Sequence, residues 1–233
     1  MNVKAQALLN AAKWIEDNYG QLALRDVVRA CSEPVRDRYT SAIAINWHPF
    51  EELIEFLEVA DRLLGRSDGK IAEEIGAAGA RSNMKGTVLR IAFYLAKPEY
   101  LVRRITQLWR QFNDEGSMEL VSLDEQTAQF EVKGIPTPQW LFCCTLTGWA
   151  RELAIALGGD KPVVKHSMCR ARGQARCLWE IRWTGKSSRE MASDAPASRT
   201  MGPPSSRRSA SVAPPSRSHS NVPPSTRGPG SKK

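Results

Sequence analysis

The sequence predicts an α+β domain: a helical first half, then a β-hairpin, a helix and a second β-hairpin, giving an antiparallel sheet of about four strands covered by helices. Three observations predict it. Apolar residues recur at helical spacing through roughly the first 115 residues. After Gly116 the pattern changes to the two-residue alternation of strands. After Trp183 it stops altogether, for no Phe, Trp or Tyr follows and Ser, Pro, Arg and Gly dominate.

The elements are predicted in chain order as follows. Lys4 to Asn18 reads as an amphipathic helix ended by Gly20. From Pro49 to Leu64, Phe50, Leu53, Ile54, Leu57 and Leu64 fall on one face and Glu51, Glu52, Glu55, Glu58 and Asp61 on another. Pro49 suits the first turn of that helix, where a missing N–H costs nothing. Ile71 to Tyr94 is helical in pattern but carries Gly76, Gly79 and Gly86. Each costs about 1 kcal/mol relative to Ala, so they mark close approach by another element, either a packed helix or a ligand cleft. A further helix follows Pro98, with Leu101, Ile105, Leu108, Trp109 and Phe112 on its apolar face, and stops at Gly116. Met118 to Leu123 and Thr127 to Lys133 alternate around Asp124-Glu125-Gln126 as a hairpin. Gly134 to Pro138 breaks the chain, and Gln139 to Leu157 is a helix ended by Gly158 and Gly159. Pro162 to Met168 and Leu178 to Trp183 form the last hairpin.

The predicted domain is 1–183, enough for one core. Residues 184–233 form a tail whose composition cannot offset its ordering entropy, so it is expected to be disordered. The tail has nine Lys or Arg against two Asp or Glu, which accounts for seven of the eight net positive charges. A near-neutral body does not suit nucleic acid, and any contact with acidic surfaces is expected of the tail. Its units Pro203-Pro-Ser-Ser-Arg207, Pro214-Pro-Ser-Arg217 and Pro223-Pro-Ser-Thr-Arg227 pair a stiff polyproline-like element with a hydroxyl and a cation. No signal-peptide or membrane-spanning apolar run is visible, and a cytoplasmic location is expected. Five cysteines in a reducing compartment point to metal ligation or burial rather than disulfides.

Two of those cysteines stand out. In Cys169-Arg-Ala-Arg-Gly-Gln-Ala-Arg-Cys177 the sulfurs flank a turn centred on Gly173. Positions equidistant from the centre face each other, with Cβ atoms about 4.5–5.5 Å apart. That spacing admits a shared metal, two buried reduced thiols, or a disulfide.

This ending, Cys169-x3-Gly173-x3-Cys177 followed by Leu178-Trp-Glu-Ile-Arg-Trp183, resembles the C-terminal signature of the 4-vinyl reductase domain, a small-molecule-binding module. Its superfamily includes haem-based nitric-oxide sensors and Bet3-type tethering subunits. Trp47-His48-Pro49, Pro98-Glu99, Leu108-Trp109, Gly116 and Gly148-Trp149 further resemble a paralogous myxobacterial family of unknown function. In phenol-sensing activators with this domain, a zinc ion is held by a helix cysteine, an acidic residue and the two hairpin cysteines. The resemblance carries those roles onto Cys143, His166, Cys169 and Cys177, with histidine in the acidic position and Cys144 competing for the helix position. Three residues separate His166 from Cys169, so on a regular strand they face opposite ways. Joint ligation needs a bulge or turn between them. The Bet3-type relatives imply a homodimer.

The chain has three histidines, His48, His166 and His219. No Ser-His-Asp set, His-x3-His pair, phosphate loop or dinucleotide fingerprint can be assembled from it. The expected function is a non-catalytic signalling or regulatory module that binds a small apolar ligand or a protein partner, with structural zinc. The alternative is an enzyme or a haem- or tetrapyrrole-binding protein of the 4-vinyl reductase type, with His48 as a ligand-contacting residue; haem stays open as the cofactor.

Overall fold

Gly20 is the first place where the chain departs from its predicted course. In the computed structural model, which describes residues 1–84, 105–156 and 159–184, helix α1 (Gln6–Ala30) kinks at Gly20 and then resumes. Leu8, Ala11, Ala12 and Ile15 before the kink and Leu24 and Val27 after it are all buried. Both halves have an apolar face to cover, so the chain bends without ending the helix. Gly20 adopts φ 85° and ψ 167°, a region open almost only to glycine. An added Cβ there meets no atom within 4 Å. Gly20→Ala is therefore expected to lose about 1–3 kcal/mol through backbone strain alone, read as a lower urea midpoint with an unchanged slope.

Around α1 pack α2 (Glu33–Ser41), α3 (Phe50–Leu64) and α4 (Lys70–Met84), whereas α5 (Ile105–Phe112) lies against Asn2–Lys4 and Ser117–Leu123. Two three-residue strands, β1 (Asn2–Lys4) and β2 (Trp47–Pro49), pair antiparallel, with Val3 opposite His48. His48 thus lies in a strand just ahead of α3, beside Arg38 and Glu52, and burial lowers its pKa. The predicted helices over 71–94 and 101–112 are described only over their parts within 71–84 and 105–112. Residues 85–104, 157–158 and 185–233 lie outside the description, whereas Thr184, the first residue of the predicted tail, belongs to the last strand.

After Gly116 come β3 (Ser117–Leu123), β4 (Thr127–Lys133), α6 (Trp140–Ala156), β5 (Asp160–Met168) and β6 (Cys177–Thr184). The four strands form one antiparallel sheet in the order β3-β4-β6-β5. The expected fold class is the observed one. β6 is interior to the sheet, and its Cys177, Leu178, Trp179 and Ile181 are buried. Register shifts interrupt the outer ladders, between Leu120 and Ser122 on β3 and at two places on β5. Such bulges blunt sheet edges against pairing with another chain.

Helix α6 joins the two halves. It crosses α4 so closely that a Cβ on Gly76 would overlap the Thr145 carbonyl, and one on Gly148 would overlap the Glu73 carbonyl. Arg81–Glu152 at 2.6 Å and Arg151–Glu74 at 3.0 Å flank the crossing. Of the glycines that marked close approach, Gly76 is at a helix contact, whereas Gly79 has only Asn10 atoms near it. Gly86 is outside the described residues. Among the described residues, no helix is long and apolar enough to cross a membrane.

Candidate metal centre

The turn between β5 and β6 is built to hold its two cysteines inward. Cys169 leads into a short 3₁₀ turn (Arg170–Arg172), and Gly173 closes it at φ 81°. The Cys169 carbonyl accepts N–H bonds from Arg172 at 3.0 Å and Gln174 at 3.1 Å. Met168 pairs with Leu178, the register that a turn centred on Gly173 requires. Cys169 and Cys177 are 2% and 4% exposed.

One residue upstream the register slips. His166 pairs with Trp179, so a bulge lies between His166 and Met168. The extra residue turns His166 toward the side that Cys169 occupies, which regular alternation would forbid. Helix α6 brings the fourth group, since Cys143 sits in its first turn and is 4% exposed. The ligand atoms of Cys143, His166, Cys169 and Cys177 all lie within 4.8 Å of one another. Two sulfurs bound to one zinc at 2.3 Å stand about 3.8 Å apart, so side-chain adjustment of about 1 Å suffices.

The chemistry of the donors agrees with their geometry. The Cys143 and His166 side chains lie beside the Cys177 sulfur, within 4.8 Å, and the Arg170 backbone N–H points at that sulfur from 3.3 Å. Together they draw Cys177 down to about 4, and the same nearness to Cys177, with burial, pushes Cys143 up. His166 has a buried Nε2 with no hydrogen-bond partner among the described residues. A buried imidazole nitrogen left unpaired is costly, and a metal ion supplies what it lacks.

The His166 ring is held flat by its neighbours. It stacks on Trp179 at 4.0 Å and 8°, and on the other side faces Trp140 at 6.3 Å and 14°. Phe130 extends the stack beneath Trp179, at 5.0 Å, and the Arg172 guanidinium caps Trp140 at 3.5 Å. A second link fixes the helix to the strand: the Trp179 indole donates to Thr147 Oγ1, which donates to the Cys143 carbonyl. The aromatic residues of this stretch were visible in the sequence as apolar surface. Their role as walls for one imidazole was not, because parallel stacking depends on the bulge.

Cys144 points elsewhere. Its sulfur lies against Gly69 in the α3–α4 loop, and burial pushes its thiol up to about 12. Cys31 is likewise buried, at the end of α1, where its thiol donates to the Val27 carbonyl. His48 is not brought to the cluster, and His219 lies outside the described residues.

A second feature lies on the opposite face of α6. Between α1, α3, α4, α5 and α6 is a cavity of about 130 Å³. Its walls include Leu53, Ile75, Trp109, Phe142, Leu146 and Trp149. Phe142 is thus in the cavity wall while its neighbour Cys143 is in the cluster.

Searches by sequence find no protein-family model and no curated protein that match the chain. Solved structures match it by shape. An Fe(II) unliganded H-NOX protein from K. algicida has a TM-score of 0.60 at 9% identity, covering 78% of this chain and 97% of that one. An H-NOX protein from S. oneidensis in the Fe(II)NO ligation state gives 0.59 at 15% identity, covering 78% and 99%. An H-NOX domain from Shewanella oneidensis in the Fe(II)CO state gives 0.60 at 13%, with the same coverage. The chain therefore has the fold of the H-NOX, or haem-NO-binding, domains.

Proposed function

We propose that this chain is a non-catalytic signalling or regulatory module. One zinc ion, held by Cys143, His166, Cys169 and Cys177, fastens its terminal hairpin to α6, and its body binds a small apolar ligand or a protein partner. The observation that carries the reading is the convergence of four donors from three separate segments within 4.8 Å. Three thiols and an imidazole are a closed structural zinc set, with no open position for a substrate or an activated water. The zinc supplies cross-linking and no chemistry. The motifs around Trp47, Pro98, Leu108 and Gly148 support a place with the myxobacterial paralogous family, and a homodimer is the oligomeric state proposed.

Haem is the second reading, because the structural neighbours are H-NOX proteins solved with Fe(II) ligation states. The described cavity residues supply no ligand set for it. Among the described lining residues there is no His, Cys or Tyr to bind iron and no Lys or Arg to meet a propionate. Met118 offers a thioether, which serves haem iron alongside a histidine. The segment 85–104, outside the described residues, contains neither His nor Cys but carries Tyr94, Tyr100 and five Lys or Arg. His166 belongs to the sulfur cluster and His48 to the Arg38–Glu52 side.

Native mass spectrometry of the full chain tests the proposal. The expected mass exceeds that of the polypeptide by one zinc ion. Cys144→Ser should keep that zinc and Cys143→Ser should lose it. Zinc-free protein from a zinc-replete preparation would overturn the reading, as would equal loss from the two variants.

A further inference from the structure

The turn that carries Cys169 and Cys177 also carries a charge pattern that metal binding does not use. From Lys161 to Trp179 the chain has five Lys or Arg and no Asp or Glu. Three of the five, Arg170, Arg172 and Arg176, lie in the β5–β6 turn itself. The elements packed against the turn bring little opposite charge. The β4–α6 loop, whose Ile135 carbonyl accepts a hydrogen bond from Arg170 at 3.0 Å, has no acid between Lys133 and Trp140. The α3–α4 loop, which reaches Trp140 at Gly69, sets Asp68 beside Lys70 at 3.9 Å and adds Arg66. Among the described residues, Arg176 is the one arginine of the turn with an ion pair, to Glu131 at 3.9 Å, and Glu131 is shared with Lys133 at 3.8 Å.

Local geometry fixes where these cations stand. The Arg172 N–H is bound to the Cys169 carbonyl at 3.0 Å and the Arg170 N–H faces the Cys177 sulfur at 3.3 Å, so the two cysteines hold the arginines in place. The Arg172 guanidinium lies 3.5 Å from the Trp140 ring centroid. Stacked on an indole, its planar fork keeps its N–H edges open, which is the arrangement that receives a carboxylate through two parallel bonds. Arg172 and Arg176 are both exposed, and Arg beside Trp is the pairing that dominates binding surfaces. The limits of the patch select its partner. Asp68, Glu119 and Glu131 border it, so a nucleic-acid backbone or a bilayer, whose phosphates continue past the patch, would press its charge on these carboxylates. A short segment rich in Asp or Glu ends within it. We infer that the β5–β6 turn docks an acidic segment of a protein partner, with Arg172 and Arg176 meeting its carboxylates, an inference that rests on the partner-binding reading just proposed.

The test uses the full chain with the six tail arginines, Arg189 to Arg227, changed to glutamine so that the tail does not supply the response. Three probes are compared: a fluorescein-labelled peptide of about six Asp and Glu residues, a labelled DNA duplex, and phosphatidylcholine vesicles containing phosphatidylserine. The peptide should bind saturably, with an affinity that falls as salt rises. Arg172→Gln should weaken it about tenfold and Arg176→Gln several-fold. Arg182→Gln, near the far end of β6, should leave it unchanged. The duplex and the vesicles should bind more weakly than the peptide and be indifferent to Arg172→Gln. If Arg172→Gln does not fold by circular dichroism, Arg176→Gln gives the same reading. No saturable peptide binding below about 1 mM, a peptide affinity untouched by the folded turn variant, an equal loss from Arg182→Gln, or an equal loss of duplex or vesicle binding each overturns the inference. Zinc content is measured on the same samples, so zinc without peptide binding removes the docking surface alone, and peptide binding without zinc removes the metal centre alone.

Discussion

Replacing Cys177 with serine should release the zinc and lower Tm by about 10–20 °C. The residue opens β6, an interior strand, where it is paired with Val132 on β4 and close to both Cys143 and His166. Its loss leaves a three-donor set with a serine hydroxyl, a poor zinc ligand, in the fourth place. Zinc sites of this type contribute about 10–16 kcal/mol of apparent affinity, comparable with the whole stability of an ordinary domain at about 5–15 kcal/mol. Without zinc, the same change would only bury a hydroxyl where a thiol had been, at about 1–3 kcal/mol. The two accounts separate in a chelator experiment. A strong chelator should bring the wild-type Tm down to that of Cys177→Ser and leave the variant unmoved. A wild type indifferent to the chelator would show that the cluster is held by packing alone.

Gly148→Ala should destabilise the fold by at least the upper part of the usual 1–3 kcal/mol range for overpacking, although the substitution favours helix formation by about 1 kcal/mol. The crossing outweighs propensity because the new methyl would land on the Glu73 carbonyl, which is helix backbone and has no rotamer to change. Gly76→Ala meets the Thr145 carbonyl in the same way and should behave alike. The ion pairs beside the crossing are partly exposed and offset little, at about 0–1 kcal/mol each. Gly79→Ala supplies the internal control, for its methyl finds only Asn10 at ordinary contact distance. It should be neutral or stabilising by up to about 1 kcal/mol. Urea midpoints of the three variants measure the contrast. Equal effects at positions 76, 79 and 148 would contradict the backbone contact. Since α6 carries Cys143, a displaced crossing should also weaken zinc retention, which Gly79→Ala should leave intact.

What was legible in the sequence follows physical rules that act over short range. The change of period at Gly116 marked the passage from helices to sheet, and the symmetry about Gly173 placed Cys169 opposite Cys177. The need for a bulge beside His166 could be stated from spacing alone; its place between His166 and Met168 could not, because it depends on how β5 pairs with β6. Gly20 read as a helix stop, since glycine commonly ends helices, yet the apolar pair Leu24 and Val27 draws the chain back onto the core. The strands at Asn2–Lys4 and Trp47–Pro49 are too short to show alternation and owe their existence to each other. Proline at position 49 closes β2 as well as leading into α3. The choice between Cys143 and Cys144 turned on helix rotation, which the α4–α6 crossing fixes. The cavity was the least legible feature, because its walls come from five helices and two strands and the space belongs to none of them.

The account rests on a single ion bound by three sulfurs and one nitrogen, and zinc K-edge X-ray absorption of the full chain tests that most directly. It predicts three Zn–S contacts near 2.3 Å and one Zn–N contact at about 2.0–2.1 Å. A first shell of oxygen and nitrogen alone, or a sulfur count unchanged by Cys177→Ser, would contradict it.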